Sequence, residues 1–118
     1  MFKKIFNKPK KYWYAVGDKK SVSEDWANEK SEEINNFIFS NLRKLKIEYC
    51  VTQIQGQRFI SMKCSNDKAN ELKSILGEEF YINKLDSASE RLVKISGKII
   101  HYYPKRLIKI RFMEKGGF

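Results

Sequence analysis

Residues 47–64 read IEYCVTQIQGQRFISMKC, two runs of β-forming residues either side of Gly56, and they decide the fold. Val, Ile, Tyr, Phe and Thr suit a pleated surface, and a glycine between two such runs supplies the tight connection of a β-hairpin. Strand side chains alternate between faces, so register sorts them. Pairing Val51 with Met62 places Ile47, Tyr49, Val51, Ile60, Met62 and Cys64 on one face and leaves Glu48, Arg58 and Lys63 on the other. That register buries the more apolar set.

Helical periodicity lies on both sides of the hairpin. Upstream, Ala27, Ile34, Phe37, Ile38, Leu42 and Leu45 recur at three- and four-residue spacing, which predicts a helix near residues 22–45. Ser21 with Glu24 fits a capping box at its start, and early acidic and late basic residues complement the helix dipole. Downstream, Ser65 or Asn66 caps a second helix at residues 66–76 carrying Ala69, Leu72, Ile75 and Leu76, with Gly77 as its left-handed C-terminal residue. YWYAV at 12–16, with Trp13 expected in the core, and EFYINKL at 79–85 read as further strands. The order β-α-β-β-α-β is that of an α+β, ferredoxin-like split βαβ arrangement, with two helices on one face of an antiparallel sheet.

Residues 1–11 read as a basic arm, because Pro9 argues against a continuing helix; residues 12–86 form the α+β core. Residues 87–118 read as a basic β extension. Within it Ser87 to Glu90 is a turn or short helix, and RLVKI, KIIHYY and KRLIKIRF look like two or three strands, so that residues 91–112 are mainly β. In the last of these, Lys105, Leu107, Lys109 and Arg111 share one face by alternation. At 118 residues the chain suits a single domain, and no repeat or linker divides it.

Composition narrows the chemistry. No apolar run nears the ~20 residues of a membrane-spanning helix, and Met1 to Lys11 lacks the apolar stretch of a signal peptide, so a cytoplasmic protein without integral membrane association is expected. Cys50, Cys64 and the one histidine, His101, do not complete a four-ligand zinc site, so neither metal nor cofactor is expected. There is no nucleophile elbow, phosphate loop or paired histidine motif, which argues against an enzyme and leaves no catalytic residue to name. The cysteines would approach each other only if the hairpin slipped by one residue. They read as buried apolar groups.

Charge is the most informative property. The formal net charge is +10, and Lys, Ile, Asn, Phe and Tyr together make up 54 of 118 residues, a bias toward AT-rich codons that fits a low-GC bacterium or its phage or plasmid. Codon bias should act along the whole chain, yet residues 1–20 carry +6 and residues 91–118 carry +7, against −3 for the seventy between. Such asymmetry assigns a positive field to two segments. Lysine and arginine attract phosphates, and interleaved aromatic rings stack on bases. The expected nucleic-acid-binding residues are Lys8, Lys10, Lys11, Lys98, Tyr102, Lys105, Arg106, Lys109 and Arg111. Nineteen Lys against five Arg favour backbone contact over base readout. The expectation is a non-enzymatic nucleic-acid-binding protein, with DNA favoured over RNA. The alternative is a small interaction module or inhibitor that docks on an acidic host protein. Insertion of MFKKIF into an anionic membrane ranks third, and an exposed edge strand would admit a homodimer.

Overall fold

The computed structural model describes residues 9–95 and 98–102. Its elements are β1 (Lys11–Asp18), a 3-10 turn at Val22–Glu24, α1 (Glu29–Lys44), β2 (Glu48–Ile54), β3 (Gln57–Ser65), α2 (Asn66–Leu76), β4 (Phe80–Lys84), α3 (Ser87–Ile95) and β5 (Lys98–Tyr102). The class is α+β. Five strands stand in the order β4-β1-β3-β2-β5, with every neighbouring pair antiparallel.

The hairpin forms at residues 47–64 with a different register from the one expected. Val51 pairs with Ile60, and Gln55 and Gly56 make a two-residue connection at φ 51° and 78°. Positive φ at both central residues is what a type I′ turn requires, and its twist matches that of the strands it joins. Since the partner of Val51 moves by two residues, the apolar set keeps its face, but Arg58, two residues before Ile60, shares that face instead of the opposite one, with its guanidinium carbon 4.4 Å from the centre of the Trp26 ring. Ile47, Tyr49, Val51, Ile60, Met62 and Cys64 are all buried, none more than 4% exposed.

Helix α1 starts later than expected. Ser21 is left-handed, at φ 56°, and its side chain caps nothing. Asp18 does that work from the end of β1: its Oδ2 accepts from the Val22 amide at 2.8 Å, and its Oδ1 from the Ser23 amide at 2.9 Å and hydroxyl at 2.6 Å. Asn28 then caps α1, accepting from the Lys30 amide at 2.9 Å. The buried stripe is Ser31, Asn35, Ile38, Asn41 and Leu42, whereas Ala27 is exposed and Phe37 is 44% exposed. A polar contact rotates the helix away from the apolar reading: Asn35 Nδ2 donates to the Ser23 carbonyl at 2.9 Å, tying the first turns to the segment after β1. At the other end, Ile47 N–H bonds to the Leu42 carbonyl and Lys46 N–H to that of Arg43, with Lys46 at φ 58°. These are the paired bonds of a Schellman C-cap.

Helix α2 lies where its pattern placed it. Ser65 Oγ accepts from the Lys68 amide at 3.3 Å, and Ala69, Leu72 and Leu76 are buried, although Ile75 is 43% exposed. Leu72 and Leu76 join Ile38, Leu42, Tyr14, Val16, Tyr49 and Met62 in one core between the two helices and the sheet. Trp13 alternates onto the opposite face, where it is half-buried rather than in that core. On that second face a groove of about 210 Å³ runs between Thr52, Phe59 and Tyr81 and reaches Val93 of α3.

The expected strand at RLVKI is a helix. Asp86 Oδ1 accepts from the Ser89 amide at 2.7 Å, so the segment read as a turn or short helix opens α3 and carries the next residues into it. The chain then adds β5 to the β2 edge, which agrees with β structure at residues 98–102. The expected strand at residues 105–112 lies outside the described residues.

Candidate nucleic-acid interface

Strand pairing determines which charges meet. Lys11 pairs with Ser65, Glu48 with Lys63, and Tyr49 with Tyr102. One end of the sheet therefore gathers the first residues of β1 and β2 and the last residues of β3 and β5. The C-cap of α1 and the first turn of α2 adjoin it. A cleft of about 290 Å³ opens there, lined by Lys11, Lys46, Glu48, Lys63 and Lys68 above Ile47 and Cys64, with Pro9 at its side. Four lysines and one glutamate thus line it among the described residues. Cys64 senses two of them: burial pushes its thiol up to about 11, while the charges of Lys11 and Lys68 pull the other way.

The expected site residues are distributed unevenly about this cleft. Lys10 and Lys11 are exposed where the chain enters β1, and Lys11 lines the cleft. Lys98 and Tyr102 begin and end β5, so backbone register puts Tyr102 beside the cleft end and Lys98, opposite Gln53, toward the far end. Lys8, Lys105, Arg106, Lys109 and Arg111 lie outside the described residues. The described chain enters at Pro9 and leaves β5 at Tyr102, both at the cleft end, whereas Lys19 and Lys20 of the first charged segment and Lys98 of the second lie toward the far end.

Lys46, Lys63 and Lys68 were not expected to belong to a site. They come from the middle of the chain, whose charges sum to −3, and a tally by segment hides three lysines that the fold places together. The alternation of Glu48 and Lys63 onto one hairpin face was the available signal. The first aromatics are less free to stack on bases than their sequence suggested. Tyr14 is buried, with its hydroxyl 3.4 Å from Asn66 Oδ1, and Lys84 Nζ sits 3.7 Å from the centre of the Tyr12 ring.

Cys50 pairs with Ser61, so it faces away from Cys64 across the sheet, and both cysteines are free and buried. Burial, with a smaller contribution from Glu48, pushes the Cys50 thiol up to about 12. Among the described residues no three His, Cys, Asp or Glu side chains converge as metal ligands, and no helix is long and apolar enough to cross a membrane. Comparison with protein-family models, curated proteins and solved structures found no match.

Proposed function

We propose that this protein binds nucleic acid, with DNA favoured over RNA, chiefly through phosphate contacts and without catalysing a reaction. The observation that carries this reading is the four-lysine cleft at the end of the sheet where Lys10 and Lys11 lead into β1 and where β5 ends at Tyr102, the last described residue before Lys105, Arg106, Lys109 and Arg111. A concentrated positive field at one pole steers a polyanion to that pole. The strand order β4-β1-β3-β2 within the sheet, with α1 and α2 sharing one core, supports the ferredoxin-like reading of the scaffold. On this reading Lys105, Lys109 and Arg111, which lie outside the described residues, contact a phosphate backbone, at steps of about 6.5–7 Å if they alternate in a strand.

Binding to duplex DNA, single-stranded DNA, RNA and anionic vesicles at two salt concentrations tests the proposal. With three to five phosphates neutralised, log affinity for DNA should fall against log salt with a slope of about −3 to −4.5. Changing Lys105, Lys109 and Arg111 together to Gln should flatten that slope by up to about three units and weaken all sequences alike. Absence of nucleic-acid binding at low salt would favour the acidic protein partner instead, and preference for vesicles would favour the membrane.

A further inference from the structure

We propose that the lysine cleft is a seat for a terminal phosphate, the phosphomonoester at the end of a nucleic-acid strand. This rests on the nucleic-acid reading and adds to it a distinct site with its own ligand chemistry. Lys11, Lys46, Lys63 and Lys68 reach the cleft from four different parts of the fold: β1, the turn after α1, β3 and the first turn of α2. With Glu48 the lining sums to three positive charges. A phosphomonoester carries about −1.5 to −2 near neutral pH and presents three acceptor oxygens. It complements that lining better than an internal diester, which carries a single charge and two free oxygens.

Shape points the same way. Ile47 and Cys64, at 2% and 3% exposure, close the cleft on the core side of the sheet, while their strand neighbours Glu48 and Lys63 reach it from the other face. An internal phosphate needs room for the strand to leave in two directions, whereas a terminal one leaves in one. Lys46 adds an independent observation. It occupies the C′ position of α1 in the left-handed region, at φ 58°, where glycine or asparagine is the ordinary choice. The backbone there accepts a strained residue, and that residue lines the cleft. Two acids compete from α2: Asp67 in its first turn, and Glu71, 3.8 Å from Lys68 Nζ. The Lys68–Glu71 pair is about half exposed, where solvent screens it, and leaves Lys68 able to turn to a phosphate.

The test uses the full chain and three single-stranded DNA oligonucleotides of one sequence, bearing a 5′-phosphate, a 3′-phosphate or hydroxyls at both ends. A phosphate at one end should tighten binding about tenfold over the hydroxyl form, the effect of one added charge-assisted contact. Millimolar inorganic phosphate should erase that increment and leave the remainder. Lys63→Gln with Lys68→Gln should abolish the increment. Lys46→Gly should reduce it while the melting temperature holds or rises, which separates loss of the seat from loss of the fold. Equal affinity for all three oligonucleotides would overturn the seat and leave the nucleic-acid reading standing. Failure of every oligonucleotide to bind at low salt would overturn both.

Discussion

Gly17 tests the packing of the second sheet face. It is buried in β1, and a methyl group added there would lie 2.7 Å from Tyr81 Oη and 2.9 Å from ring atoms Cε2 and Cζ. Its φ is not among the positive values of the chain, so the glycine supplies space rather than a special conformation. Two effects oppose each other in Gly17→Ala. Alanine in a strand gains roughly 0.5–1 kcal/mol over glycine by restricting the unfolded chain. Overpacking against the tyrosine ring costs about 1–3 kcal/mol. The clash wins, and Gly17→Ala should destabilise the protein by about 1 kcal/mol. In a Tyr81→Ala background the ring is gone, and the same substitution should stabilise by about 0.5–1 kcal/mol. Urea denaturation of the four proteins in the cycle, followed by circular dichroism, measures the coupling. An equal effect of Gly17→Ala in both backgrounds, to within about 0.5 kcal/mol, would refute this placement of Tyr81.

Ile38 is fully buried under the sheet, so Ile38→Ala should cost about 2–5 kcal/mol through lost burial and cavity formation; a thermal melt matching wild type would show that α1 presents a different face. Burial alone would raise the Asp18 carboxyl, but bonds from the Ser23 hydroxyl and the Ser23 and Val22 amides outweigh it and hold the group below the usual range. Asp18→Ala should then cost about 2–4 kcal/mol at neutral pH. A lowered carboxylate contributes fully above its unfolded value of about 4 and loses that contribution as pH falls through the folded value, so the gap from wild type should narrow in acid. Constant separation of the two urea midpoints down to about pH 2.5 would contradict this. Cys50 and Cys64 are buried thiols pushed up to about 12 and about 11, so a disulfide reagent at pH 8 should modify neither quickly in the native protein and both after denaturation. Rapid reaction of one native thiol would place it at the surface.

The hairpin and α2 were legible because each carries its own signal, a two-residue turn between alternating strands and a capped run of apolar residues. The register of Val51 was not, since pairing with Ile60 or Met62 buries the same face and only the backbone at Gln55 and Gly56 separates them. The start of α1 was misread because Ser21 and Glu24 form a local capping pattern, whereas the carboxylate that acts there belongs to Asp18 of the preceding strand. Asn35 and Asn41 were invisible as interior residues because their burial depends on partners that periodicity does not name, the Ser23 and Phe37 carbonyls. The cleft shows the same limit: Lys11 and Lys68 meet only after β1 has been laid beside β3.

That placement of β1 also orders events during synthesis. Strand β1 leaves the ribosome before β3 and β4, between which it lies, and neither neighbour is complete until Ser65 and Lys84 have been added. Until then Tyr14 and Val16 lack the surfaces that bury them, while β2 and β3 can close on each other through a loop of two residues. The hairpin is local and β1 is not, so the nascent chain prepares the slot before filling it. When β1 enters, it draws Lys11 against Ser65 and assembles the positive pole in the same step that completes the core.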